Sequence, residues 1–271
     1  MTQLICLANS WKRKGRCIAG IEPTTGQWIR PVSNLAYGQI PVDAQLIDGR
    51  DIELLDVIDI PLAEMGPDFG FENENRWILP GPWQRVGRVQ PMDLLPYCKD
   101  YSHILHNTGK YVTKTEIQAF PKSQWRSLQL IHVVKFSLED VRGGARGTYW
   151  RGTLITSAGQ ELTNATVTDP VLVERLRTEL GYYPQAPCLV TVSLSMPHTP
   201  PNWDGPDEPC WKLIAAVIEF SKSDLIWVEM ERLGWSVEQG RHYLQQMYGK
   251  RSRKHLTDDE LFHFLSYLKS V

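Results

Sequence analysis

From the N-terminus to about residue 220, apolar residues alternate with polar ones or gather in short unbroken runs, the pattern of strands. Leu4-Ile5-Cys6-Leu7-Ala8 reads as a buried strand. Cys17-Ile18-Ala19-Gly20-Ile21 and Gln27-Trp28-Ile29-Arg30, joined through Thr24-Thr25-Gly26, read as a hairpin. Residues 34–50 are loop-like, 54–62 predict a strand, and 65–83, rich in Gly, Pro and Asn, predict a long surface loop. Trp83–Val89 resumes a strand and Pro91–Leu95 a short helical turn. A second block holds strands at Leu128–Leu138, Tyr149–Ile155, Glu161–Thr168, Cys188–Leu194 and Trp211–Phe220. Its one helix runs from Val171 to Leu180, with Asp169 as N-cap and Pro170 at the first helical position. Two such blocks, 1–110 and 125–220, fit small β-barrels better than a parallel α/β sheet.

The pattern then changes to helical spacing over residues 223–271. Leu225, Val228 and Leu233 mark one helix that ends at Gly234. Ser236-Val237-Glu238-Gln239 and Thr257-Asp258-Asp259-Glu260 are capping boxes that open two more. The fold class is therefore mainly β, with a small α-helical C-terminal module.

Charge adds a local signal. The net charge of the 271 residues is −2, so any nucleic-acid footprint must be confined to patches. Lys12, Arg13, Lys14 and Arg16 stand together without an acid, and Trp28 and Arg30 fall two apart on the returning strand, on one face. Cations neutralise phosphates and a flat ring stacks on a base, so this hairpin is a candidate nucleic-acid surface. The same residues also suit a second role: Trp28 in the core and Arg30 in a strand-end ion pair. Arg241, Lys250, Arg251, Arg253 and Lys254 form a second acid-free cluster.

Catalytic chemistry finds little support. Asp56 and Asp59 lie three apart on a strand and face opposite sides. Asp169 suits a cap better than a catalyst, and His103 and His106 form an HxxH without a zincin Glu or a nearby Cys. There is no phosphate loop or nucleophile elbow. Neither a metal nor a cofactor is expected. The 5 cysteines are odd in number and form no CxxC pair. With no signal peptide or membrane-length apolar run, they point to free thiols in a soluble, cytoplasmic protein.

Several runs carry a family resemblance. Cys6-Leu7-Ala8-Asn9-Ser10, Gly15-Arg16-Cys17-Ile18-Ala19-Gly20 and Trp28-Ile29-Arg30-Pro31-Val32-Ser33 resemble the opening of the dual OB-containing domain family. Leu55–Pro61, Val167-Thr168-Asp169-Pro170, Leu189–Leu194 and Lys212–Ala216 follow in order. Over residues 2–220 the resemblance implies two tandem OB-like barrels, a fold that binds nucleic acids, sugars or proteins. The stretch from Leu233 to Leu261 is similar to a C-terminal module of cyanobacterial proteins, and its helix–extension–helix layout resembles DNA-binding SAP modules. The expectation is a non-enzymatic binder of nucleic acid, single-stranded DNA or RNA, by phosphate neutralisation and base stacking. The alternative is an adaptor whose barrels and C-terminal helices dock a partner protein.

Overall fold

A computed structural model describes residues 1–12, 15–41, 46–142, 148–201, 203–205 and 207–271. The first six strands are β1 (Thr2–Lys12), β2 (Gly15–Ile21), β3 (Trp28–Val32), β4 (Asp56–Ile60), β5 (Asn75–Trp77) and β6 (Gln84–Arg88). They form one sheet in the order β5-β3-β2-β1-β4-β6. The expected hairpin is β2–β3, with Gly26 at φ 68° in its turn, a conformation that favours glycine. β5 runs parallel to β3, and Leu79 N–H donates to Pro61 O at 2.8 Å, drawing the sheet's ends together. The result is a half-barrel around Leu4, Cys6, Ile18, Ile29, Ile58 and Ile60. β5 lies inside the segment that the sequence reads as a loop. Its three residues are held by parallel pairing with Arg30, Pro31 and Val32 rather than by an alternating pattern of their own.

The second sheet follows β7 (Tyr111–Thr113) and the short helix α1 (Lys114–Gln118). It comprises β8 (Leu128–Arg142), β9 (Thr148–Thr156), β10 (Glu161–Val167), helix α2 (Pro170–Thr178), β11 (Cys188–Leu194) and β12 (Pro209–Glu219). The order is β10-β9-β8-β11-β12-β7, and β10 also pairs parallel with β12, Thr166 opposite Leu213. That extra pairing closes five strands into a barrel and leaves β7 on its outside. α2 joins the third and fourth barrel strands, the place an OB fold gives its helix. Buried Val133, Leu154, Leu162, Val190, Val192 and Ile214 fill the interior, each contributing about 1.5–3 kcal/mol.

The two barrels meet along a seam of small residues: Ala8 and Ala19 from the first, Ala215, Ala216 and Leu128 from the second, with Trp28 and Leu54 packed against them. Across it, Thr191 Oγ1 donates to Leu7 O at 2.7 Å and Trp11 N–H to Thr168 O at 3.0 Å. Residues 1–218 accordingly make one compact unit.

Residues 219–271 make the other unit. It holds α3 (Lys222–Arg232), α4 (Val237–Tyr248) and α5 (Asp258–Ser270), packed around Ile226, Met230, Leu244, Phe264, Leu265 and Leu268. Both capping boxes read from the sequence are present, and Ser221 with Asp224 makes a third. Gly240 lets α4 approach Met230, whose terminal methyl would lie 2.5 Å from an added Cβ.

Candidate nucleic-acid interface

The first basic cluster divides on folding. Arg13 and Lys14 lie outside the described residues. Lys12 ends β1 and Arg16 sits in β2, its guanidinium 4.0 Å over the exposed ring of Trp11. Partial burial lowers the Arg16 pKa from its ordinary value, and its Nε and Nη1 have no hydrogen-bond partner. Trp28 is partly buried and packs against the inter-barrel seam.

Arg30 departs furthest from the expectation of a surface cation. It is 2% exposed, with Nη1 2.6 Å from Glu72 and Nη2 3.2 Å from Glu74. Nη2 also donates to Ser127 Oγ at 2.8 Å, at the start of the second barrel. Burial opposes its charge, but the two carboxylates outweigh that and hold its pKa above the ordinary range. Glu74 is pushed the opposite way to the usual salt-bridge acid: desolvation raises its pKa in spite of Arg30. This follows the ion-pair alternative, with the partners supplied by a segment read as a loop.

The second basic cluster is partly engaged within its own unit. Lys250 Nζ lies 2.5 Å from Glu260, Arg241 lies 3.6 Å from Glu238, and Arg253 donates to Ser223 O at 2.6 Å. Arg251 donates to Gln245 at 3.3 Å, while Lys254 is exposed and makes no ion pair among the described residues.

A groove on the second barrel has features that the sequence reading missed. Lys110, Arg151, Asn164, Thr166, His198 and Trp211 line a cavity of about 430 Å³. Trp211 stands in an aromatic cluster, its ring 5.3 Å from Tyr111 and 6.1 Å from Trp203, and Lys110 Nζ lies 5.6 Å from the same ring. Arg151 Nε has no hydrogen-bond partner. Beneath them Lys212 donates to Asn107 O at 2.6 Å and to Asn107 Oδ1 at 3.0 Å, and burial brings its pKa down to about 8. β9, β10, β12 and residues 195–200 build this groove. Of these, β9, β10 and residues 195–200 correspond to strands 2 and 3 and the last interstrand loop of an OB barrel, the surface with which that fold holds oligonucleotides. Only Trp203 inside a Pro-rich stretch and Trp211 just after it hinted at the groove in the sequence.

The acidic and histidine candidates have structural duties. Asp56 is buried against Arg85 and Arg88 at 2.8 and 2.9 Å, whereas Asp59 accepts from Gln3 at 3.4 Å. Asp169 caps α2, accepting from Val171 and Leu172 at 3.0 and 3.1 Å, and also takes Val217 N–H at 3.2 Å. The His106 ring lies 2.7 Å from Arg126 O. Among the described residues there is no group of three or more His, Cys, Asp or Glu suited to a metal, and no helix long and apolar enough to cross a membrane. No disulfide joins the cysteines, and burial pushes Cys6, Cys98 and Cys210 up to about 12.

No solved structure matches the chain. One curated relative, the uncharacterized protein slr1353 of Synechocystis sp., is 57% identical over 42 residues, which is 16% of this chain and 14% of that protein. The chain therefore spans only a small part of that relative's length. The dual OB-containing domain model matches residues 2–217, the whole span of both barrels. With that coverage, and with the barrel topology above, the chain belongs to the dual OB-containing domain family.

Proposed function

We propose that this protein binds single-stranded nucleic acid, DNA or RNA, along the β9–β10–β12 groove of its second barrel, and acts as a binder rather than a catalyst. The observation that carries the reading is the cluster of Tyr111, Trp203 and Trp211 beside Lys110 and Arg151. Aromatic faces accept successive bases at about 1–3 kcal/mol each, and the cations follow the phosphates. Lys12, Arg16 and the C-terminal Arg251 and Lys254 would add long-range attraction, and a cytoplasmic site of action suits cysteines that form no disulfide.

Fluorescence anisotropy with labelled single- and double-stranded DNA and RNA, over a range of salt, tests this. Trp211→Ala should weaken binding about five- to 150-fold, from loss of one stacked base. Replacing both Lys110 and Arg151 by Ala should reduce the single-strand salt slope by about 1.4, at about 0.7 per phosphate contact. Binding that ignores all three substitutions would remove the groove from the proposal.

The adaptor reading keeps one observation in its favour. Phe262 and Met247, in the C-terminal unit, are 63% and 52% exposed. If these side chains dock a protein, replacing both by Ser should abolish a specific interaction and leave oligonucleotide affinity unchanged.

A further inference from the structure

A second cavity lies in the crevice between the barrels. Ser10, Trp11, Lys12, Arg30, Tyr37 and Glu72 line it on one side and residues 193–198 on the other. Its volume of about 240 Å³, about eight waters at about 30 Å³ each, is ample for one planar base. It shares Ser195, His198 and Leu213 with the groove on the second barrel, so a strand lying there passes its mouth.

The chemistry of its wall selects against a phosphate. Arg30 is the one buried cation there, and Glu72 and Glu74 already neutralise it. What remains is hydrogen-bonding capacity. Arg30 Nε has no partner, and Glu72 gives one carboxylate oxygen to Arg30 and the other to Asn75, leaving about two of its four acceptor sites. The hydroxyls of Ser10, Ser193 and Ser195 adjoin them. Trp11 and Tyr37, 50% and 37% exposed, stand at its rim. A flat ring with both donors and acceptors on its edge satisfies this wall, whereas an anion or an aliphatic group does not.

We propose that the inter-barrel cavity is a base slot, which takes one nucleobase from a bound strand and favours bases with an exocyclic amine. The carboxylate of Glu72 is the selecting group, since carboxylates accept from amines such as cytosine N4, and uracil and thymine lack that amine. The backbone of the inserted nucleotide stays outside, near Lys12 and His198. The proposal rests on the single-strand reading above, and adds to it a preference among bases that groove stacking alone does not create.

The test compares oligo-dC with oligo-dT of about twelve nucleotides, a length within the span of OB sites, by anisotropy on the full chain at pH 8. Oligo-dC should bind about tenfold more tightly, the effect of a hydrogen bond to a charged group. Ser193→Phe, which fills the slot from its wall, should erase the preference while keeping most of the oligo-dT affinity; Trp11→Ala, which removes a ring at the rim and uncovers Arg16, should erase the preference as well. Thermal melting checks that both variants fold. Glu72→Gln is the direct probe, because the amide can accept from an amine or donate to a carbonyl and should narrow the ratio. Equal affinity for the two oligonucleotides in the wild type, with binding intact, overturns the slot and leaves the groove standing. So does a preference that survives both Ser193→Phe and Trp11→Ala. Absence of binding to either oligonucleotide at low salt overturns the single-strand reading itself, and the slot with it.

Discussion

Replacing Arg30 by Met removes one cation from between two carboxylates at nearly constant volume. Glu72 and Glu74 are 2% and 7% exposed and the Met side chain fills the space, so little solvent replaces the lost charge. Breaking a buried pair in this way costs about 3–5 kcal/mol, and two carboxylates sharing one cation place the loss toward the upper end. For a unit of this size each kcal/mol moves Tm by about 2–4 °C, so the fall should be about 6–20 °C at pH 8. The penalty should shrink in acid. Glu74 already has its pKa raised by burial, and loss of Arg30, whose charge lowers it, moves it higher. Between the ordinary glutamate value and that raised value the folded state holds a proton that the unfolded state gives up, so stability rises as pH falls through the window. Differential scanning calorimetry of wild type and Arg30→Met at pH 8 and pH 5 measures both effects. Further replacement of Glu72 and Glu74 by Gln should recover much of the loss at pH 8. A Tm unchanged within about 2 °C at pH 8 would refute the burial argument, since a solvated pair is worth about 0–1 kcal/mol. A deficit equal at both pH values would assign the loss to packing alone.

Other perturbations probe separate features. Asp169→Ala should cost about 2–4 kcal/mol in urea unfolding, combining a lost N-cap with an orphaned Val217 N–H. Gly20→Ala should destabilise by at least about 1–3 kcal/mol, because the new Cβ would stand 1.9 Å from Ile5 O across the β1–β2 pair; an unchanged midpoint would contradict that register. Lys212, with its pKa near 8, is costly to keep charged, so wild type should gain stability relative to Lys212→Met as pH rises from about 8 toward 10, read as the difference in urea midpoints. Phe264→Ala should cost about 3–5 kcal/mol in the C-terminal unit, seen as loss of helical circular dichroism at lower temperature.

What could be read in advance was what depends on neighbours in the chain. The β2–β3 hairpin, the Asp169–Pro170 start of α2 and two of the three C-terminal caps each rest on residues within a few positions of one another. The fate of Trp28 and Arg30 rested on partners that periodicity does not reveal. Arg30 meets Ser127 across 97 residues, and Glu72 and Glu74 came from a stretch whose Gly and Asn content suggested an open loop. Clustered charge in sequence also failed to locate the groove. Its residues, from Lys110 through Arg151 and Asn164 to Trp211, come together only when β10 closes on β12.

The hydrogen bond from Thr191 to Leu7 spans 184 residues. At about 5–20 residues per second of synthesis, the Leu7 carbonyl waits about 9–37 s before its partner has even been made. Throughout that interval Ala8 and Ala19, both buried in the finished protein, lie on a seam whose facing Ala215 and Ala216 have not been made. This side of the seam therefore depends on later chain, or on a chaperone, for its cover during most of synthesis. Slowing translation before residue 216 should lengthen that dependence, whereas slowing it afterwards should not.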